Sequence, residues 1–247
     1  MTLPPEAERL CRGWSFFPTE ELAPGHCSRV FADASRVLKV PFQGEEQISG
    51  WKMAVKLSGN LGPVVERFDP GTGSLLMERI RPGTSLAESG LSDRECFRLV
   101  QGAIEGCRSV GPLDELLPLR EYFETPSEEL DHLIATTPEE VPLHGDLHHF
   151  NILRTPHAWK VIDPKGLRGD PSFEAIAFLR NPVDRLGQGA ELLAQTERRL
   201  RWFEEALDLD ANRIIRWALL DLDAEPDESL TPWGHLRQVL AAIAGRP

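Results

Sequence analysis

Cysteine is scarce in this chain and poorly placed for cross-linking: Cys11, Cys27, Cys96 and Cys107 form no Cys-x-x-Cys pair and no Cys/His cluster with zinc spacing. A disulfide framework and a structural zinc are thus excluded as the basis of folding, and 247 residues suffice to bury an apolar core without them. No apolar run approaches the roughly 20 residues that span a bilayer. The opening Met1-Thr2-Leu3-Pro4-Pro5-Glu6 also lacks the basic-then-apolar pattern of a secretory signal. The expectation is an unprocessed, soluble, cytoplasmic protein with no membrane partner. Basic residues are in deficit, 27 against 39 acidic for a net charge of -12, which argues against a nucleic-acid partner because phosphate neutralisation needs clustered Lys and Arg. No Gly-x-x-x-x-Gly-Lys-Ser/Thr occurs, so a P-loop is excluded and Gly71-Thr72-Gly73 reads as a turn.

The deficit is unevenly spread. Residues 1–82 hold 10 basic and 10 acidic side chains, and residues 83–247 hold 17 and 29. An acidic cleft in the second part would attract a cationic small molecule; a solvated, solubility-promoting surface explains the same excess.

The hydrophobic periodicity changes near residue 82. Before it, Cys27–Ala32, Arg36–Val40, Val64–Phe68 and Ser74–Ile80 are short, branched-residue segments between turn signals and predict an antiparallel sheet. Glu45–Leu57 reads as a helix, weakened by Gly50. After the boundary the pattern is helical. Ser92-Asp93-Arg94-Glu95 has capping-box spacing, and Cys96, Leu99, Val100, Ala103, Ile104 and Cys107 recur on one face, placing both cysteines in the core. Thr125-Pro126-Ser127-Glu128 predicts another helix start with Pro at its first position. Further helices fit Phe173–Arg180, Ala190–Leu207, Ala211–Leu222 and Trp233–Ile243. The fold class predicted is α+β, with a small antiparallel-sheet lobe over residues 1–82 and a larger, mainly helical lobe over 83–247.

The chemistry concentrates in Leu143-His144-Gly145-Asp146-Leu147-His148-His149-Phe150-Asn151-Ile152-Leu153 and in Val161-Ile162-Asp163-Pro164-Lys165-Gly166. The order His-x-Asp, then Asn, then a second Asp is that of a kinase catalytic loop. Phosphoryl transfer needs one carboxylate to receive the proton of the attacking hydroxyl. An amide oxygen and a second carboxylate hold Mg²⁺ against the phosphates. Ile152–Arg154 and Trp159–Ile162 predict a hairpin. If its pairing is symmetric about His157, Asn151 lies directly opposite Asp163 and both reach one metal.

With Ile162-Asp163-Pro164-Lys165-Gly166-Leu167-Arg168-Gly169-Asp170-Pro171 and Phe178-Leu179-Arg180-Asn181-Pro182 added, the sequence resembles the aminoglycoside phosphotransferase family, in its streptomycin 6-kinase-like branch. The resemblance runs from about Gly25 to Pro182 and is stronger in its second half. It implies a protein-kinase-like bilobal fold, ATP or GTP with Mg²⁺ as cofactors, Asp146 as catalytic base, and Asn151 and Asp163 as magnesium ligands. His144 would brace the loop. Lys39, in Val37-Leu38-Lys39-Val40, would contact the α- and β-phosphates. Backbone groups of Glu78 and Ile80 would hold the nucleotide base with Met77 bordering its pocket, and Pro24-Gly25-His26-Cys27-Ser28, ending in Ser28, would cover the phosphates.

One departure stands out. The position where the family places a Glu paired with that Lys is Gly50 here, so Glu46, or failing it Glu45, would have to orient Lys39. Without such a pair the chain would be a slow enzyme or a silent nucleotide-binding module. A zinc site at His144, Asp146, His148 and His149 would leave Lys39, Asn151 and Asp163 without roles. The reading adopted is transfer of a γ-phosphoryl group to a hydroxyl of a cationic small molecule, an aminoglycoside such as streptomycin. Asp170, Asp184, Asp221, Asp223 and Glu225 are candidate partners for its charges, and a sugar or amino-alcohol kinase is the alternative.

Overall fold

The structure, a computed structural model, describes residues 2–22, 28–42, 46–223 and 231–245, without the side chains of Glu46 and Gln47. Helix α1 (Pro5–Trp14) opens the chain and buries Ala7, Leu10 and Cys11. Strands β1 (Glu20–Glu21), β2 (Ser28–Ala32), β3 (Arg36–Pro41), β4 (Val65–Asp69) and β5 (Ser74–Glu78) form one antiparallel sheet in the order β1-β2-β3-β5-β4. Its inner residues Phe31, Leu38, Val40 and Leu76 pack with α1 and Phe16 into a small core. Between β3 and β4 the chain winds one π-helical turn, Glu46–Gly50, and continues as α2 (Trp51–Leu57). The predicted helix is thus present from Glu46; Glu45, Pro24 to Cys27 and Glu225 lie outside the described residues.

The second lobe is mainly helical: α3 (Asp93–Arg108), α4 (Leu119–Tyr122), α5 (Glu128–Ala135), α6 (Ile176–Leu179), α7 (Ala190–Leu207), α8 (Ala211–Asp223) and α9 (Pro232–Ala244). They enclose a large core built on Phe97, Ile104, Leu133, Phe178, Phe203 and Trp217. The capping box forms as expected, with Ser92 N donating to Glu95 Oε2 at 2.9 Å and Glu95 N donating to Ser92 Oγ at 3.4 Å. Cys96 and Cys107 are buried, and burial raises both thiols, with Cys107 well above the ordinary thiol range.

Two expectations about helix starts and ends change. The cap before α5 is Ser127, whose Oγ accepts from Leu130 N at 3.1 Å. Pro126 therefore precedes the cap, because a side-chain acceptor satisfies an orphan N–H that proline cannot. The segment read as one helix over Phe173–Arg180 is a 3₁₀ stretch, Pro171–Ala175, followed by the short α6. Asp170 caps the first of these through Ser172 N at 2.9 Å.

Strands β6 (Leu117–Pro118), β7 (Val141–Leu143) and β10 (Leu167–Gly169) form a three-stranded sheet that the periodicity did not show. Strands of two or three residues carry too few positions to display an alternation. This sheet matters because β7 runs into His144 while β10 begins just after Gly166, with Leu143 paired to Leu167. The hairpin β8 (Ile152–Arg154) and β9 (Trp159–Val161) closes the other side. Its register is Ile152 with Val161, Leu153 with Lys160 and Arg154 with Trp159. The predicted pairing symmetric about His157 is therefore off by one residue. Thr155 N donates to Ala158 O at 2.8 Å and Thr155 Oγ1 accepts from Ala158 N at 2.8 Å, closing a two-residue turn over Pro156-His157 in place of a three-residue one.

Candidate active site

With the register shifted, Asn151 faces Ile162, whose N–H donates to Asn151 O at 2.9 Å, and simple alternation would turn Asp163 away from the site. Asp163 reaches it differently, through a left-handed backbone at φ 58°. A non-glycine residue held there is a local cost characteristic of functional positions. Its carboxylate meets Lys39 Nζ at 2.7 Å, across the gap between the lobes, with the lysine side chain 8% exposed and the carboxylate 38%.

The loop from His144 to Asn151 is tied by short-range bonds. His144 Nε2 lies 3.0 Å from Ile162 O, and His144 Nδ1 accepts from Asp146 N at 3.3 Å. The ring therefore carries its proton on Nε2, and burial lowers its pKa to about 4. With both nitrogens committed to backbone, it braces the loop and offers no zinc ligand. His149 is stacked 4.8 Å from Phe178 in the core, again held neutral by burial, at about 3. The zinc arrangement is thereby dismantled.

Asn151 Nδ2 donates to Asp146 O at 2.9 Å and lies 3.4 Å from Asp146 Oδ2. His148 Nε2 lies 3.5 Å from Asp146 Oδ2, and burial, partly offset by Asp146, lowers the His148 pKa. Asp146 and Asn151 are thus bonded to each other, and Asn151 is tied through Ile162 N to the residue before Asp163.

Above them, a cavity of about 370 Å³ is lined by Ser28, Lys39, Met77, Glu78, Ile80 and Asp163 together with Val30, Val37, Leu153 and Ile162. The cleft brings together the residues assigned to the nucleotide by resemblance, Glu46 excepted, whose side chain is not described. Strand β5 ends at Glu78, two residues before the predicted end, because Glu78 N turns to Val64 O at 2.8 Å and Arg79 N to Ser35 O at 2.8 Å. Gly83, at φ 75°, closes the connection below: a Cβ there would stand 2.9 Å from Ile80 O. Its N–H donates to Arg154 O at 3.1 Å, fastening the connection to β8.

The segment at Ser49 and Gly50 is met by Gly166. The loop after Asp163 turns at Gly166, φ 69°, where a Cβ would collide with the carbonyl of Ser49 and come within 3.1 Å of Gly50 N. Ser49 Oγ donates to Lys165 O at 2.9 Å. The two segments are packed backbone to backbone, the close approach for which glycine is suited.

Two residues around the candidate site were not singled out by the sequence. Glu174 is buried and accepts from His144 N at 2.7 Å and Gly145 N at 3.1 Å, so it holds the loop that carries Asp146 from beneath. Its signal was a lone carboxylate inside the apolar run from Phe173 to Leu179, since charges are buried only with specific partners. Lys165 Nζ donates to Tyr122 Oη at 2.6 Å. Burial pulls its pKa down, but Tyr122, Asp146 and Asp221 more than offset this and keep it an ammonium.

Of the acidic acceptor candidates, Asp170 is removed: it is completely buried and serves Arg213 and the Trp217 indole, the latter at 2.8 Å. Asp221 and Asp223 line a separate cavity of about 800 Å³ with Tyr122, Glu124, Glu129 and Arg216. Asp184 lies in a short 3₁₀ turn, Val183–Arg185.

Burial pushes the Glu174 carboxyl up to about 7, against its two backbone N–H bonds. An unfolded Glu titrates near 4.5, so between those values the folded chain binds more protons and this residue's contribution falls as pH rises. His144 and His149 run the other way: their contribution is complete above 6.5 and is lost as pH falls toward about 4 and about 3. Glu174→Gln is expected to gain on the parent chain by up to about 3 kcal/mol between pH 5 and pH 8. Urea midpoints at the two pH values measure this, and an equal offset at both would mean that Glu174 stays ionised.

A family model for aminoglycoside/hydroxyurea antibiotic resistance kinases matches residues 126–222. A streptomycin 3''-kinase of Klebsiella pneumoniae is 31% identical over 231 residues, spanning 83% of this chain and 85% of that protein. The chain belongs to the aminoglycoside phosphotransferase family. A streptomycin 6-kinase of Streptomyces glaucescens is 25% identical over 243 residues, 87% of this phosphotransferase and 79% of that one. Among solved structures, the ternary complex of APH(2")-IIa with streptomycin and ATP superposes with a TM-score of 0.56 at 18% identity, covering 94% of this chain and 95% of the other. This agrees with the bilobal, protein-kinase-like α+β fold. The phosphotransferase uses a hydroxyl acceptor and a nucleotide donor. Among the described residues, no helix is long and apolar enough to cross a membrane.

Proposed function

We propose that this phosphotransferase moves the γ-phosphoryl group of ATP or GTP onto a hydroxyl of an aminoglycoside, with streptomycin the preferred acceptor. The observations that carry the reading are the Lys39–Asp163 pair, which lines the cavity beside the sheet, and the Asp146–Asn151 pair, tied to it through the Ile162 N to Asn151 O hydrogen bond one residue before Asp163. Val30, Met77, Leu153 and Ile162, which line the cavity, would hold the base, with the backbone of Glu78 and Ile80 available to its polar edge. Lys39 would contact the α- and β-phosphates, and Ser28, which lines the same cavity, would lie over them.

The donor set fits magnesium. Asn151 commits its amide nitrogen to Asp146, which leaves its oxygen, and Asp163 adds a carboxylate, both hard ligands of the kind Mg²⁺ takes. Asn151 and Asp163 would hold the ion, whose contribution is to neutralise phosphate charge. Asp146 orients the acceptor hydroxyl and takes its proton as the oxygen attacks the γ-phosphorus and the nucleoside diphosphate leaves. The cavity beside Asp221 and Asp223 lies on the acceptor side, next to Tyr122 and hence to Lys165. Its carboxylate Glu124 suits the ammonium or guanidinium groups of a polycation, whereas Asp223 is already paired with Arg237.

The test is nucleoside diphosphate release with ATP and Mg²⁺ over streptomycin, other aminoglycosides, neutral sugars and amino alcohols. Release with aminoglycosides is expected. Release only with a neutral sugar or amino alcohol would transfer the enzyme to metabolism, and none with any acceptor would favour a silent module.

A further inference from the structure

We propose that Arg180 is a positioning residue for phosphoryl transfer: its guanidinium, anchored on Asp221, sets the orientation of the Asp146 carboxylate toward the acceptor hydroxyl. Arg180 Nη1 donates to Asp221 Oδ2 at 2.8 Å, and Arg180 Nη2 stands 3.7 Å from Asp146 Oδ1. One planar fork thus bridges the catalytic carboxylate and a carboxylate 75 positions further along the chain, in α8. Arginine suits such a bridge because its donors lie in a fixed plane and its charge is permanent.

The segment carrying Arg180 is held independently of that bridge. Arg199, 1% exposed and paired to Asp93 at 2.7 Å, donates from Nη1 to Phe178 O at 2.7 Å, Leu179 O at 3.1 Å and Asn181 O at 2.9 Å. The remaining carbonyl, that of Arg180, receives Trp233 Nε1 at 3.3 Å, and the Trp233 ring lies 5.6 Å from the Arg180 guanidinium. Four consecutive carbonyls are therefore fixed from α7 and α9, which points the side chain without help from its carboxylate partners.

Arg180 Nε, by contrast, is buried and makes no hydrogen bond among the described residues. A buried donor left unmet costs about 1–3 kcal/mol and calls for an explanation. Here the fork spends its two Nη groups on the two carboxylates and leaves Nε unmet. His148 also approaches Asp146, but on its Oδ2 side, and Lys165 is directed to Tyr122. Arg180 thereby supplies a fixed cation on the Oδ1 side of Asp146, while Asn151 and His148 stand on the Oδ2 side.

The inference rests on Asp146 handling the acceptor hydroxyl, and the experiment separates the two. Steady-state kinetics with whichever acceptor the parent enzyme turns over are compared for Arg180→Gln, Arg180→Lys, Asp221→Asn and the Arg180→Gln/Asp221→Asn double variant, with slow nucleotide hydrolysis as the readout if no acceptor is found. Arg180→Gln is expected to lower kcat about 10- to 100-fold with the KM for ATP within about twofold, and Arg180→Lys to restore part of the loss. Because Asp221 acts through Arg180, the double variant should match Arg180→Gln within about twofold. A kcat for Arg180→Gln within about twofold of the parent, or losses that multiply in the double variant, would overturn the proposal. Should Arg180→Gln fail to fold, an unchanged kcat in Asp221→Asn overturns it equally. Turnover that survives Asp146→Asn would instead sink the role given to Asp146.

Discussion

Asp146→Asn is expected to lower kcat by about 10³-fold while leaving the KM for ATP within about twofold, since a positioned general base contributes about 10²- to 10⁴-fold. The substitution keeps the size of the side chain and removes its capacity to accept a proton. The loop around it has its own supports: His144 Nδ1 holds the backbone at residue 146, Glu174 holds residues 144 and 145, and His148 N donates to Asp146 O at 2.9 Å. None of these needs the Asp146 carboxylate. The cavity proposed for the nucleotide is lined by residues other than Asp146, so nucleotide binding by calorimetry should match the parent chain. A kcat loss smaller than about tenfold would mean that the acceptor proton goes elsewhere.

Arg199→Met is expected to cost about 3–5 kcal/mol of folding stability, the range found when one member of a buried ion pair is removed. The guanidinium is 1% exposed, bonds Asp93 through Nε and Nη2, spans the carbonyls of Phe178, Leu179 and Asn181, and lies 4.7 Å from the Phe178 ring centre. Methionine fills part of the volume but satisfies none of the three buried carbonyls, each of which then bears a desolvation cost. A fall in the urea midpoint at unchanged slope measures the loss. Because the same carbonyls aim Arg180, residual folded enzyme should also show reduced kcat. A stability change under about 1 kcal/mol would mean that water replaces the arginine.

Much of the site was legible because its residues are close in sequence. His144 to Asn151 and Asp163 to Gly166 span a loop and a hairpin, and phosphoryl transfer demands their residue types in that order. The strands β2 to β5 and the helices α3, α7, α8 and α9 announced themselves through alternation or three- and four-residue recurrence. The hairpin register failed because it turned on whether Thr155 and Ala158 close a two-residue or a three-residue turn, and both fit the composition. The orientation of Asp163 depends on one left-handed residue that no periodicity foretells.

The sequence alone determined the class of chemistry and the α+β plan, since local spacing and hydrophobic period are properties of neighbouring residues. Tertiary structure decided what lies between distant residues. It set Lys39 against Asp163 and brought Glu174 beneath the loop. It gave Arg180 to Asp146 and Asp221, took Asp170 out of solvent for Arg213 and Trp217, and pressed Gly166 against Ser49. Those pairings depend on how helices and strands far apart in the chain pack around a common core, and burial then makes each polar partner obligatory.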